Sequence, residues 1–214
     1  VRWYFYTAGA PWLPSRFYHD AVNEAQRKYM STLWNTYAFY ILYAQIDGFV
    51  PKDHPIDEAK LTLMDRWILS RLHSTIKAVD DNLSHYRVPE SANALNELVD
   101  DLSNWYVRRG RARFWGKGMA KDKEAAFITL YTVLEAITRL TAPFTPFMAE
   151  SIYQNLVRAV DQDASESVHL CAFPAADEAL IDPEMERQMA QLLQVIQLGR
   201  AARNLASLKV RQPL

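Results

Sequence analysis

The chain has 214 residues, of which 50% are hydrophobic and 23% are charged, and its formal net charge is −1. This balance is typical of one large globular domain or two small ones and excludes a wholly disordered chain. A single cysteine, Cys171, excludes a disulfide framework and a cysteine-based zinc site within the chain. A lone thiol suits a reducing compartment, so we predict a cytoplasmic protein. The chain starts at Val1 rather than Met, and we expect it to be part of a longer protein.

Apolar residues recur every three or four positions along most of the chain, which predicts helices. A first helix is predicted over residues 19–46, where Asp47-Gly48 supplies a stop signal. A second is predicted from Leu63, because Thr62-x-x-Asp65 resembles a capping box. The other predicted helices start at Pro89, run over 122–140, start at Pro146 and start at Pro183.

The predicted fold class is all-α, because no β-rich stretch of useful length occurs in the sequence. A short extended segment is predicted at 168–171 (Val-His-Leu-Cys). A series of amphipathic helices without strands favours an antiparallel helical bundle, which is the predicted architecture. No apolar run of about 18 residues is present, and no membrane span is predicted.

Positive charge is concentrated in two stretches that contain no acid. Residues 102–121 hold six Lys and Arg residues, and residues 187–214 hold five, whereas acids are in excess elsewhere. Such a distribution can place a polyanion on one face of a nearly neutral protein.

No catalytic constellation emerges from the sequence. The five histidines are far apart along the chain, and the six glycines form no phosphate-binding loop. Asp100 and Asp101 are adjacent, so on a helix they point about 100° apart and make a poor acid–base pair. We therefore predict no catalytic residue, no metal site and no cofactor within this chain.

The most informative local feature is the segment Asn104–Trp115 (NWYVRRGRARFW). On a helix, Arg108 and Arg111 share one face and Arg109 and Arg113 share the neighbouring face. Guanidinium groups suit phosphates, and the interleaved aromatic side chains can stack on unpaired bases. The alternative is a solvated helix end, in which the aromatic side chains belong to the core.

With its preceding residues, this segment (DLSNWYVRRGRARFW) resembles the helical anticodon-binding domain of the isoleucyl-tRNA synthetases, which are class I aminoacyl-tRNA synthetases. Other blocks agree in order: RWYFYTAGAPW (2–12), TLWNTYAFYILYAQIDGF (32–49), MDRWILSRL (64–72), LTAPFTPFMAESIYQNL (140–156), ESVHL (166–170) and GRAARNLASLKVRQPL (199–214). The resemblance covers essentially the whole chain. It implies that residues 1–18 end the connector after a catalytic core and that residues 19–214 form the anticodon-binding domain.

The resemblance also implies an activity for the longer protein. Enzymes of this family join isoleucine to its tRNA using ATP and Mg²⁺, and this domain holds the anticodon arm so that the tRNA is positioned for aminoacylation. The family's adenylate-forming signatures, His-Ile-Gly-His and Lys-Met-Ser-Lys-Ser, have no counterpart here. We therefore expect the segment itself not to be an enzyme. The implied partners are the isoleucine tRNA and the catalytic and editing domains of the parent chain, with a monomeric state and no membrane contact.

Composition and resemblance lead to the same candidate residues. The predicted tRNA-binding residues are Arg108, Arg109, Arg111, Arg113, Trp115, Lys117, Arg200, Arg203, Lys209 and Arg211, and the predicted structural aromatic residues are Trp105 and Tyr106. Two alternatives are a valyl or leucyl relative and a helical protein-interaction bundle without RNA contact. The second alternative predicts that Arg108 and Arg109 are buried against acids such as Asp100 or Asp101.

Overall fold

The computed structural model describes residues 1–9, 12–14, 17–210 and 212. Nine α-helices, and no strand, occur among these residues. The helices are α1 Arg2–Thr7, α2 His19–Ala25, α3 Thr32–Asp47, α4 Leu63–Ser84, α5 Val88–Asp100, α6 Arg108–Trp115, α7 Lys121–Thr141, α8 Pro146–Tyr153 and α9 Pro183–Leu205. The all-α prediction is confirmed.

Three π-helical turns extend these helices into longer ones. Gln26–Ser31 joins α2 to α3, Asp101–Val107 joins α5 to α6, and Gln154–Arg158 continues α8. The helix predicted over 19–46 therefore forms, but it contains a π turn where a regular α-helix was expected. The helix predicted from Pro89 likewise runs through a π turn to Trp115.

The core lies between α4, α5 and α7, with α3, α6 and α8 packed around them. Only three residues separate α4 from α5, so the two helices run antiparallel, and Tyr86 in this turn has a φ of +58°. Leu72, Leu95 and Leu130, from α4, α5 and α7, are among the most deeply buried side chains. Burial of such side chains drives the helices together as an antiparallel bundle.

The start of α4 confirms the predicted capping box. The Asp65 backbone N–H donates to Thr62 Oγ1 at 3.3 Å, and the Thr62 backbone N–H donates to Asp65 Oδ2 at 2.8 Å. This arrangement satisfies two backbone donors at the helix start. It also holds the Asp65 side chain against the bundle, where the side chain is fully buried.

Helix α1 packs against α2 and α5. Trp3 stacks on Tyr29 with ring centroids 3.7 Å apart, and the Tyr29 hydroxyl lies 2.8 Å from Thr141 Oγ1. Through Trp3, which belongs to the hydrophobic core, and Tyr6, which packs against it, α1 is therefore joined to the bundle. The proposed boundary between residues 18 and 19 stays a prediction.

The extended segment predicted at 168–171 is corrected by the structure. Val168–Leu170 form a 3₁₀ turn, and only Cys171 after it has extended dihedral angles. The Ser167 hydroxyl accepts a hydrogen bond from the His169 backbone N–H at 3.2 Å, which caps the turn. An alternating apolar pattern over four residues does not reveal this side-chain cap.

Candidate nucleic-acid interface

Helix α6 carries the arginine-rich segment and has two different sides. Its inner side is anchored by Phe114, which is 1% exposed and packs edge-on against Phe39 and Phe127. Tyr106, in the π turn just before α6, is also buried. The structural role of Tyr106 stays a prediction, and its burial is compatible with that role.

A buried ion pair fixes α6 to the start of α4. Arg113 Nη1 and Nη2 each donate to one carboxylate oxygen of Asp65 at 2.8 Å, and the Tyr106 hydroxyl donates to the same carboxylate. Arg113 also pairs with Asp122 at 2.8 Å. The Arg113 side chain is 16% exposed and that of Asp65 is fully buried, so the guanidinium is committed to protein partners. Such two-point pairing sets distance and orientation together.

The charge state of this network is well defined. Burial raises the pKa of Asp65, but the hydrogen bonds from Arg113, Tyr106 and Thr62 outweigh burial, so the pKa lies below its ordinary value. Burial and the neighbouring Asp65 charge raise the pKa of Tyr106 well above its ordinary value. Asp65 is therefore ionised and Tyr106 neutral near pH 7.

The outer side of α6 presents cations to solvent. Arg108, Arg109 and Arg111 are exposed, and Lys117 follows them in the exposed loop. Within the described ranges, no ion pair involves any of these four side chains. The positive charge on this side is therefore available to an external anion.

The nearby acids have other partners. Asp100 accepts from Asn104 Nδ2 at 2.6 Å, and Asp101 accepts from Arg71 Nε at 3.0 Å. The contacts expected for a protein-interaction bundle, with Arg108 and Arg109 buried in acids, are not found in the described part of the chain.

The two tryptophans of this segment differ in accessibility. Trp105 is half-buried, and the Arg200 guanidinium lies 5.8 Å from its ring centroid. Trp115 is 57% exposed at the end of α6. The contact between Arg200 and Trp105 joins the two basic stretches of the sequence, which therefore meet on the surface of the bundle.

Helix α9 carries the second basic stretch and is attached through its first turns. Glu186 accepts hydrogen bonds from Ser70, Ser74 and Arg71 of α4. Farther along α9, Arg200 is exposed and Arg203 donates to the Gln212 carbonyl at 2.6 Å. Lys209 is exposed beyond the helix, and Arg211 lies outside the described residues.

Several organising residues were missed by sequence reasoning. Asp65 was predicted only as a helix cap, and Arg71 and Glu186 received no role. A weak signal was present at Asp65, since an apolar residue would suit a buried position on α4 better than an acid. No local pattern pointed to Glu186, because its partners lie more than 100 residues away in sequence.

The described residues contain no group of three or more His, Cys, Asp or Glu that could hold a metal ion. None of the helices in the described ranges is both long and apolar enough to cross a membrane.

Comparison with known proteins identifies the family of this chain. Residues 65–214 match the family described as the anticodon-binding domain of tRNA ligase. The chain therefore belongs to the anticodon-binding domain family of tRNA ligases.

Two relatives that match the whole chain belong to one branch of the tRNA ligases, the isoleucine–tRNA ligases. The chain is 54% identical over 214 residues to the isoleucine–tRNA ligase of Clostridium novyi, covering 100% of the chain and 20% of the relative. It is 47% identical over 214 residues to that of Dehalococcoides mccartyi, covering 100% of the chain and 21% of the relative. The predicted resemblance to the isoleucyl branch is confirmed, and the chain spans about a fifth of the length of these relatives.

A solved structure supports the fold. The chain is similar to the LeuRS in a crystal structure of a LeuRS–tRNA–LeuAMS ternary complex from Agrobacterium radiobacter K84, with a TM-score of 0.61 and 16% identity. The match covers 85% of this chain and 20% of that chain. At this identity, the similarity concerns the arrangement of helices.

Proposed function

We propose that this chain binds the anticodon arm of isoleucine tRNA through the outer side of α6 and the adjoining part of α9. The observation that carries the proposal is the set of exposed arginines, Arg108, Arg109 and Arg111, on a helix whose inner side is fixed by the Arg113–Asp65 pair. Exposed guanidinium groups without acidic partners suit the RNA backbone. Arg200, which lies over the Trp105 ring, extends this positive surface, Lys209 is an exposed cation after α9, and Trp115 lies at the end of α6.

In this proposal Arg113 organises the surface and does not contact phosphate. Its guanidinium already pairs with Asp65 and Asp122, and releasing it would leave a buried carboxylate without its main partner. We assign Trp105 a packing role in this proposal, because Arg200 lies across its ring.

For the whole protein we propose isoleucine–tRNA ligase activity in the cytoplasm. Both relatives are isoleucine–tRNA ligases, and each matches this chain over its full length. The ATP and Mg²⁺ that such a reaction requires, and the catalytic and editing domains, belong to the rest of the protein, which we propose to be monomeric. This segment contributes by positioning the tRNA.

The proposal is tested by fluorescence anisotropy of labelled isoleucine tRNA across a salt series. We expect Arg108→Ala/Arg109→Ala to weaken binding and to lower the slope of log affinity against log salt by about 1–2. The control is Arg27→Ala/Arg87→Ala, which removes the same charge from exposed positions outside the two basic stretches. Equal losses in both double variants would indicate a general charge effect and would contradict the proposed surface.

An anticodon-altered tRNA separates recognition from docking. Tighter binding to the correct anticodon supports a domain that reads the anticodon. Equal binding to both tRNAs would limit this segment to backbone contacts.

A further inference from the structure

A cavity of about 520 Å³ lies at the end of the basic helix. Its walls come from the last turns of α3, the end of α6, the loop after α6 and the start of α7. The lining residues include Tyr43, Ile46, Asp47, Trp115, Lys117 and Lys123. This volume is within the range of small-molecule binding sites.

The side walls of the cavity are apolar and aromatic. Tyr43, Ile46 and Trp115 line it, and Ile46 is 68% exposed although it is a large apolar residue. Exposed apolar surface beside a concave, positively charged region is typical of a ligand-binding surface. A flat aromatic ligand would cover this surface.

The polar wall of the cavity contains an ion pair. Lys123 Nζ lies 2.6 Å from Asp47 Oδ2 and donates to the Gly116 carbonyl at 2.7 Å. The Lys123 side chain is buried, so its charge is balanced inside the protein and is not offered to solvent. Asp47 Oδ2 is buried against Lys123, so a base in the cavity would meet the remaining acceptor sites of the Asp47 carboxylate and the Gly116 carbonyl.

The rim of the cavity carries free positive charge. Lys117 lines the cavity, is exposed, and belongs to the acid-free stretch 102–121. A phosphate next to a base inside the cavity would lie within reach of this flexible side chain. The same mouth therefore offers an aromatic surface for a base and a cation for its phosphate.

We propose that this cavity binds one unpaired nucleobase of an RNA loop, stacked on Trp115, with an adjacent phosphate at Lys117. The inference rests on the proposed RNA-binding function and adds a site for a base to it. Trp105 is not an equivalent platform, because Arg200 already covers its ring.

The experiment uses the anticodon stem-loop of isoleucine tRNA and a series in which each loop nucleotide in turn lacks its base. We expect Trp115→Ala to weaken binding of the intact stem-loop by about 5- to 150-fold, which corresponds to the loss of one stacked base. Trp115→Phe retains an aromatic face and should recover most of the affinity. One abasic position should weaken binding to the wild type, because its base occupies this cavity. The same abasic position should have no further effect on binding to Trp115→Ala.

Two controls keep the outcome interpretable. Trp34→Ala removes another exposed tryptophan, 41% exposed and outside the cavity, and should bind the stem-loop like the wild type. Lys117→Ala leaves the aromatic surface intact and should lower the salt slope by about 1. This variant tests the site even if Trp115→Ala fails to fold.

The possible failures of the two proposals are distinct. If Trp115→Ala and Lys117→Ala bind the whole series like the wild type while Arg108→Ala/Arg109→Ala binds weakly, the base site is wrong and the RNA-binding surface stands. If the wild type does not bind the stem-loop even at low salt, both proposals are overturned.

Discussion

Helices α6 and α9 both carry exposed arginines, but they are attached to the bundle in different ways. The inner side of α6 is held by Phe114 and by the buried pair of Arg113 with Asp65, whereas α9 has no buried residue over its 23 positions. The main attachment of α9 is at Glu186, near its start. Helices that both present arginines to solvent can therefore differ in how firmly those charges are positioned. Four changes test this difference.

The largest effect is expected from Arg113→Ala. The substitution leaves the Asp65 carboxylate buried without its main partner, so we expect a loss of about 3–5 kcal/mol in the free energy of unfolding, measured by urea denaturation. The matched change on α9 is Arg187→Ala, which breaks an exposed pair with Glu184 and should cost less than about 1 kcal/mol. Similar losses in the two variants would remove the distinction between the helices.

The second-largest effect is expected from acid, which should weaken the attachment of α6 to the bundle. The pKa of Asp65 is lower in the folded protein than in the unfolded chain, so its contribution is complete above the unfolded pKa and is lost as the pH falls through the folded value. At pH values below about 4, we expect the urea midpoint of the wild type to decrease more steeply with falling pH than the midpoint of Asp65→Asn. Parallel pH profiles for the two proteins would show that Asp65 does not carry this dependence.

Glu186→Gln should loosen α9 with a smaller effect on the whole bundle. Ser70, Ser74 and Arg71 would lose a charged acceptor, which we expect to cost about 1–3 kcal/mol. Amide hydrogen exchange should speed up in α9 more than in α6. The control is Glu184→Gln, an exposed change on the same turn, and an identical exchange pattern in both variants would contradict an anchoring role for Glu186.

The smallest effect is expected from Arg200→Ala. Loss of the guanidinium over Trp105 should cost about 0.5–1 kcal/mol and shift the Trp105 indole signal in NMR spectra. Arg200→Lys keeps the charge and should retain part of the contact. An unshifted indole signal in Arg200→Ala would mean that the two basic stretches are not joined in solution.

The sequence predicted the helices well because their apolar spacing and end signals are local. The stop at Gly48, the Thr62–Asp65 cap and the start of α9 at Pro183 all occur as expected. The π turn at Asp101–Val107 was not predicted, because a helix with one wider turn keeps nearly the same apolar spacing.

The site was predicted only in outline, since side chains of one type take different roles through distant partners. Arg111 and Arg113 are two residues apart, yet only Arg113 meets Asp65, which lies 48 positions earlier. The cavity beside Trp115 similarly depends on residues 43–47 approaching residues 114–123. Neither contact has a local pattern from which it could be predicted.

The π turn before α6 also has a consequence for how this domain tolerates insertions and deletions. One residue corresponds to about 100° of rotation on an α-helix. A π turn holds about one residue more than an α-helical turn, so removing one residue from Asp101–Val107 would convert it to a regular turn and leave α6 facing the same way. Removing one residue from the regular part of α5 would instead rotate Arg113 away from Asp65 and turn Arg108 toward another part of the surface. This turn therefore tolerates the loss of one residue, a change that elsewhere in the helix would alter the direction in which the arginines face.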